Sequence, residues 1–222
     1  MLLPKQMPRS GADQTKHAVT RGNCTVDESR IAVTGFSYGG FTALAMAGGY
    51  QGWGPDERVD AIIPIAATPV ALVARHGTSE LLAEPLAAID VRTLLLYGTA
   101  DPERAAETWR GISASPAAWR VNIHRAGHLS FTNVCDQLAA LQDAGLSPAP
   151  PLASAAKNQG CGPKLIPIEK AHRITVQYVV AFLRTTIRDD VSARHLLSPQ
   201  WAARNHLPVT VDAKTKGHRR AG

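Results

Sequence analysis

The sequence predicts an α/β fold with a mostly parallel sheet of about four strands flanked by helices. Two observations lead to this prediction. Short apolar runs of strand length alternate with helix-forming runs, and the connections between them are rich in glycine and proline. This alternation is typical of right-handed strand–helix–strand units, whose strands are parallel. With 222 residues, 45% of them hydrophobic, the chain is long enough for one domain with a buried core.

The first strand–helix unit contains the most informative stretch of the chain. Residues 31–34 form a β-branched apolar run, and an Ala/Leu/Met-rich helix is predicted over 38–47. Residues 35–39 between them read Gly-Phe-Ser-Tyr-Gly, which matches the G-x-S-x-G nucleophile elbow. Both glycines are expected to prevent collisions in this sharp turn. Ser37 is then the predicted nucleophile, exposed at the carboxyl edge of the sheet.

The remaining elements follow in chain order. Pro64 predicts a strand end or an irregular pairing in the second strand. Residues 69–89 carry helix formers interrupted by glycine and proline and predict two short helices over the site, and residues 145–167 are rich enough in both to predict a loop. Further strands are predicted at 60–67, 91–97 and 119–124, and helices at 102–111, 131–144 and 168–187, the last with one apolar face.

We divide the chain into an irregular amino-terminal segment at 1–29, a catalytic core at 30–188 and a basic tail at 189–222. Half of the net charge of +6 lies in the tail, without a helix-turn-helix pattern or zinc spacing. We therefore expect a solvated tail and no nucleic-acid partner. No apolar run approaches the roughly 18 residues of a membrane span. The amino terminus also lacks the apolar centre of a signal peptide.

The three cysteines show no spacing typical of a metal site. Cys135 and Cys161 flank the Pro/Ala/Ser-rich loop and could form a disulfide that closes it, which would suit an exported protein. The alternative is two buried thiols in a reducing compartment. Both alternatives stay open from the sequence, as does the redox state of Cys24.

Three side chains that follow predicted strands suit a catalytic triad. Ser37 follows the first strand, Asp101 the third and His128 the fourth. Active groups of a parallel α/β sheet gather beyond the carboxyl ends of its strands, and Ser, Asp, His is the order of an α/β-hydrolase. His128 is the predicted base, Asp101 the carboxylate that orients it, and the N–H of Tyr38 an oxyanion donor. The rivals in less suitable positions are Asp90, Asp136, His124 and His172.

Three stretches of the chain resemble the catalytic blocks of a known group of enzymes. They are Val-Asp-Glu-Ser-Arg-Ile-Ala-Val-Thr-Gly-Phe-Ser-Tyr-Gly-Gly at 26–40, Leu-Leu-Tyr-Gly-Thr-Ala-Asp at 95–101 and Ala-Gly-His-Leu-Ser-Phe-Thr-Asn-Val-Cys at 126–135. They resemble bacterial α/β-hydrolases of the predicted dienelactone hydrolase group. That group is similar to platelet-activating-factor acetylhydrolases and, more distantly, to polyester-degrading cutinases. The resemblance covers about residues 26–200. It implies hydrolysis of carboxylic esters, with short acyl chains, lipid esters or polyesters as substrates, and a secreted or periplasmic origin.

The chain departs from this group at its amino terminus. The family fold has about eight strands, and about four of them precede the elbow. Only 29 residues precede Arg30 here, so the chain resembles the carboxyl-terminal half of such an enzyme. The first strand is then expected to be an edge strand unless residues 1–29, a partner or a second copy covers it. The loop that supplies the second oxyanion donor would also be missing.

The predicted function is a serine-dependent ester hydrolase that needs no cofactor or metal. The alternative is a truncated, catalytically weak or silent remnant that serves as a binding module. An acyltransferase or peptidase with the same triad is not separated from an esterase by sequence. Phe36 and Trp53 are the predicted substrate-binding residues, Trp53 because it lies in a Gly-rich loop.

Overall fold

Within the described residues, five strands form one sheet at the centre of the molecule. The computed structural model describes residues 27–50, 52–67, 83–101 and 105–215. The strands are β1 (Ala32–Phe36), β2 (Ala61–Ile65), β3 (Arg92–Gly98), β4 (Ala117–Ile123) and β5 (Val209–Thr215). The helices are α1 (Tyr38–Gly48), α2 (Ala83–Ala88), α3 (Ala105–Gly111), α4 (Val134–Asp143), α5 (Pro150–Gln159), α6 (Ile168–Thr186) and α7 (Pro199–Arg204), with short 3₁₀ helices at His128–Phe131 and Val191–Leu197.

The strands lie side by side in sequence order. β1 to β4 are parallel, and β5 pairs antiparallel with β4. The carboxyl ends of the four parallel strands therefore lie at one edge of the sheet, where the predicted catalytic residues follow them. This arrangement confirms the predicted α/β class with a mostly parallel sheet. The number of strands is one more than the prediction of about four.

Helices cover both faces of the sheet. Along β3, Leu94 and Leu96 pack into the cluster that contains α6, whereas Leu95 and Tyr97 pack into the cluster that contains α1. Successive side chains of a strand point to opposite faces, so a strand buried on both sides must be apolar throughout. This explains why the apolar residues Leu94, Leu95, Leu96 and Tyr97 follow one another in a strand in the middle of the sheet.

Pro64 lies inside β2 and interrupts its pairing with β3. The β2–β3 register joins Ala61 to Arg92, Ile62 to Thr93 and Ile65 to Leu96, and it omits Ile63 and Pro64. The N–H of Ser37 donates to the carbonyl of Ile65, so by alternation the nitrogen of Pro64 faces β3. Since proline has no N–H to donate there, the ladder is broken at this point. The predicted irregular pairing is confirmed.

The predicted loop over 145–167 is wrong for its central part. Residues Pro150–Gln159 form helix α5, with prolines in its first turn. Proline is tolerated there because the first N–H groups of a helix have no intrahelical acceptor, and the Ala-rich remainder favours helix. The prolines mark the start of this helix and do not exclude it.

The carboxyl-terminal segment is not a solvated tail over the residues that are described. Residues 191–215 form a 3₁₀ helix, α7 and β5, and Val211 and Leu197 join the core.

Arg120 on β4 forms an ion pair with Asp212 on β5 at 2.7 Å. The ammonium group of Lys214 lies 4.3 Å from the ring centre of Trp109, a cation–π contact. Burial of the Lys214 ammonium group lowers its pKa, and the nearby positive charge of Arg120 lowers it further by a smaller amount. Several charges that suggested a tail therefore fasten the last strand.

The remaining predictions either agree with the structure or concern residues outside the described ranges. The helix predicted at 168–187 is α6, and its apolar face is buried. Most of segment 1–29, residues 69–82 of the predicted helix pair, and Cys24 lie outside the described residues. In the part of the chain that is described, no helix is both long and apolar enough to cross a membrane.

Candidate active site

Ser37 occupies a strained turn between β1 and α1. Its φ is 56° and its ψ is −116°, a conformation that costs a non-glycine residue of order 1–3 kcal/mol. Two backbone hydrogen bonds fix the turn on either side of the residue. The N–H of Ser37 donates to the carbonyl of Ile65 on β2, and the carbonyl of Ser37 accepts from Phe41 in the first turn of α1. The turn thereby fixes the position of the serine hydroxyl.

The glycines of the turn differ in what they permit. A Cβ on Gly35 would lie 2.2 Å from the carbonyl carbon of Gly39, so only glycine fits at position 35. A Cβ on Gly39 would meet no described atom within 4 Å. Gly40 is the second tight position, because its Cβ would lie 2.9 Å from Ala67. The prediction that both motif glycines prevent collisions is therefore correct for Gly35 and wrong for Gly39.

Asp101 follows β3 in a tight turn. Its N–H donates to the carbonyl of Gly98, and its side chain is fully buried. A Cβ on Gly98 would lie 2.0 Å from the carbonyl oxygen of Ala126, so the ends of β3 and β4 approach closely at this glycine. This approach brings the carboxylate of Asp101 next to the segment that carries His128.

His128 begins a short 3₁₀ helix five residues beyond the end of β4. The buried hydroxyl of Ser130 accepts a hydrogen bond from the N–H of Gly127, and the N–H of Ser130 donates to the carbonyl of Gly127. This pair of bonds closes the turn on both sides of His128. The ring is mostly buried, with 14% of the side chain exposed.

The three predicted triad side chains converge. The Nε2 of His128 lies 3.0 Å from the Oγ of Ser37, and its Nδ1 lies 3.1 Å from a carboxylate oxygen of Asp101. With the proton on Nδ1 donated to Asp101, Nε2 is free to accept the proton of the serine hydroxyl. The arrangement can therefore convert an alcohol into a nucleophile.

Tyr38 starts α1 immediately after the nucleophile. The first N–H groups of a helix have no intrahelical acceptor, and the helix dipole favours negative charge at this end. The predicted oxyanion donor, the N–H of Tyr38, therefore lies at the helix end next to Ser37. The aromatic side chain of Tyr38 is 70% exposed.

The two predicted substrate-binding residues lie in different places. Phe36 ends β1, and its ring contacts the imidazole of His128, with ring centres 4.9 Å apart. Trp53 pairs with Tyr50 beyond the carboxyl end of α1. Since α1 is an 11-residue helix that begins at the nucleophile, its far end is roughly 15 Å away. Trp53 is exposed but is not brought to the triad.

The rival residues lie away from the site or have structural partners. Asp90 precedes β3 and therefore lies at the opposite end of the strand from Asp101. Asp136 lies in the first turn of α4. His124 contacts the hydroxyl of Thr210, and His172 donates to the carbonyl of Thr132 just after the His128 turn.

A disulfide joins Cys135 to Cys161, which resolves the two alternatives for this pair. Cys135 lies in the first turn of α4, and Cys161 follows α5. A Cβ on Gly127 would lie 2.5 Å from the carbonyl oxygen of Gln159, so the end of α5 packs directly on the residue before His128. The disulfide thereby fastens the helices against which the His128 turn rests.

Sequence reasoning missed several residues that hold this region together. Arg125 has a φ of 61°, donates from its backbone to the hydroxyl of Thr99, and donates from its guanidinium to the carbonyls of Lys164 and Leu165. Ser130 closes the turn that carries His128 through its two hydrogen bonds with Gly127. The spacing of Ser130 three residues after Gly127 could have indicated a turn. No comparable local signal identifies Arg125, because the partners of its guanidinium lie 39 and 40 residues away.

Comparisons with known proteins do not identify the chain. No protein-family model matches it, and a search of curated proteins gives no significant match. Within the described ranges, no three His, Cys, Asp or Glu side chains are grouped so that they could hold a metal ion. The contacts that join Ser37, His128 and Asp101 are the chemically distinctive feature of this site.

Proposed function

We propose that this protein is a serine hydrolase of carboxylic esters. The observation that carries the proposal is the continuous contact from Ser37 through His128 to the buried carboxylate of Asp101. A serine hydroxyl is a poor nucleophile at neutral pH and needs a neighbouring base. Ser37 has this base within hydrogen-bond distance and also has the strained strand–helix turn that exposes a nucleophile.

In the first half-reaction, Ser37 forms an acyl-enzyme. Its Oγ attacks the ester carbonyl carbon while Nε2 of His128 takes the hydroxyl proton. The carboxylate of Asp101 accepts from Nδ1 and stabilises the imidazolium that forms. The negative charge on the carbonyl oxygen is met by the N–H of Tyr38. The carbon–oxygen bond to the alcohol then breaks, and His128 gives its proton to the leaving alcohol.

In the second half-reaction, water takes the place of the alcohol. His128 removes a proton from the water as its oxygen attacks the acyl carbon. The bond between the acyl group and Ser37 breaks, and the proton returns to the serine oxygen. The net reaction consumes one water and yields an acid and an alcohol. It needs no group beyond the chain and the solvent.

The resemblance of the three sequence blocks at 26–40, 95–101 and 126–135 extends the proposal to the fold, the substrates and the partners of the chain. The chain is proposed to be part of an α/β-hydrolase fold that acts on short acyl esters, lipid esters or polyesters. In the described structure, β1 is an outer strand of the sheet. A strand edge offers backbone groups to another chain. We therefore propose that a second copy or a partner covers β1.

Turnover of p-nitrophenyl acetate by wild type and Ser37→Ala tests this function. Loss of a triad serine costs at least about 1,000-fold in rate in enzymes of this kind. Ser154→Ala is a matched control, since Ser154 is an exposed serine on α5, and it should keep the wild-type rate. Equal rates for wild type and Ser37→Ala would remove the esterase proposal. A folded wild type without turnover would favour the silent binding module instead.

A further inference from the structure

Phe36 packs against the imidazole of His128, in addition to the two hydrogen bonds of the predicted triad. The two ring nitrogens of His128 contact Asp101 and Ser37, which fixes two edges of the ring. The ring of Phe36 lies 4.9 Å from the imidazole, centre to centre, with the planes at 44°. Phe36 is the last residue of β1, and its backbone is in register with Ile65 of β2. The phenyl ring is therefore carried by the sheet and not by a loop.

From this contact we propose that Phe36 is a positioning residue that holds the imidazole of His128 in its productive orientation. The proposal rests on the proposed function and deepens it. Hydrogen bonds tolerate tilts of tens of degrees before they weaken steeply. Two hydrogen bonds alone therefore leave the imidazole room to rock about the line between its partners. A ring packed against the imidazole restricts that motion, because displacement toward Phe36 would bring atoms into overlap.

The contact bears on the chemical step more than on substrate binding. Proton transfer from Ser37 needs Nε2 of His128 held within hydrogen-bond reach of the serine hydroxyl. A small misplacement of a catalytic group lowers the rate of this step steeply. The sequence assigned Phe36 to substrate binding, and the two roles predict different kinetics.

A comparison of kcat with KM separates positioning from substrate binding. Phe36→Leu removes the aromatic ring and keeps an apolar side chain. We expect kcat for p-nitrophenyl acetate to fall about 10- to 100-fold, because misplacing a catalytic group costs rates of this order. KM should stay within about twofold, since ground-state binding is unchanged. Phe36→Tyr keeps the ring and should restore most of the rate.

Tyr50→Leu is the matched control. Tyr50 is an aromatic residue beyond the far end of α1, and its ring packs edge-on against Phe41 at 5.2 Å, away from the triad. This variant should keep the wild-type kcat. Phe36→Met serves as a second variant if Phe36→Leu does not fold, as judged by thermal unfolding. A wild-type kcat in folded Phe36→Leu, or a loss confined to KM, would overturn the proposal.

NMR of histidine-labelled protein tests the same role without turnover. In the wild type, the proton on Nδ1 of His128 should give a resolved resonance, because it is held between the ring and Asp101. In Phe36→Leu the resonance should broaden or disappear through faster exchange, and in Tyr50→Leu it should persist. An unchanged resonance in Phe36→Leu contradicts the proposal. If the wild type hydrolyses no ester, the proposed function fails, and this spectrum still decides the role of Phe36.

Discussion

Ser37 and His128 are held in place by different means. Ser37 lies in a turn whose backbone packs so tightly that glycine is required at Gly35 and Gly40. His128 lies five residues beyond its strand, in a turn held by Ser130 and by helices that a disulfide fastens. The proposed nucleophile depends on close backbone contact between β1 and α1, whereas the proposed base depends on links between elements outside the sheet.

This difference separates the stability of the fold from the geometry of the site. A substitution that disturbs the Ser37 turn also disturbs the contact between β1, α1 and β2, and with it the core. A change that loosens the His128 turn leaves the sheet intact and moves only the base. The first kind should disrupt the sheet itself, and the second should lower kcat in a protein whose sheet still forms.

The largest expected effect is that of Gly35→Ala. Its Cβ would overlap the backbone of Gly39 at 2.2 Å, and neither segment can move without disrupting β1 and α1. We expect a loss of at least about 3 kcal/mol in the free energy of unfolding, or failure to fold. Chemical denaturation measures this difference. Gly39→Ala is the matched control and should change the value by less than about 1 kcal/mol. Equal stability of the two variants would contradict the packing described for this turn.

The next effect is that of removing the disulfide. The double variant Cys135→Ser, Cys161→Ser opens a link that spans 26 residues. Loop-closure entropy predicts a loss of about 3 kcal/mol in the free energy of unfolding. Because α5 packs against Gly127, kcat should fall as well, while KM changes little. Reduction of the wild type should reproduce both effects, and the reductant should leave the double variant unchanged. An unaltered kcat in the reduced wild type would show that His128 is positioned without the disulfide.

The smallest expected effect concerns the outer strands β1 and β5, and it is an effect on self-association. Ile31 and Ser37 direct their backbone groups to β2, so by alternation Ala32, Thr34 and Phe36 direct theirs away from the sheet. If a second copy covers β1, Thr34→Lys should weaken self-association at least about tenfold through charge at the edge. Thr210→Lys on β5 is the matched control, since both threonines are exposed.

Light scattering across a range of protein concentrations measures this association. Wild type and Thr210→Lys should show the mass of an oligomer, and Thr34→Lys should show the mass of one chain. An active wild-type protein that stays a single chain at every concentration would contradict the proposed cover of β1.

The sequence predicted those parts of the structure that follow from local pattern. The apolar residues at 94–97 are buried on both faces of the sheet. Ser37, Asp101 and His128 each follow a strand, so their convergence could be predicted from topology. The strand at 209–215 was missed because its alternating charges resemble a solvated segment. Asp212 and Lys214 find their partners on β4 and α3, which are distant in the chain.

Two details of the site also depend on contacts between distant segments. The requirement for glycine at Gly40 arises from Ala67, and the anchoring by Arg125 arises from carbonyls at 163–165. Neither contact leaves a periodic or spaced signal in the sequence. The predicted placement of Trp53 in the binding site was wrong for a related reason. A Gly-rich loop indicates that its residues are exposed, but it does not indicate at which end of the neighbouring helix the loop lies.

Covalent labelling with a fluorophosphonate tests the central claim most directly. This reagent phosphonylates a serine hydroxyl that has been activated by a base. We predict that one phosphonyl group is added per chain, and that mass spectrometry locates it at Ser37 in the tryptic peptide 31–58. His128→Ala should slow the labelling at least about 100-fold. Labelling of Ser37→Ala at the wild-type rate, or no labelling of the folded wild type, would contradict the account.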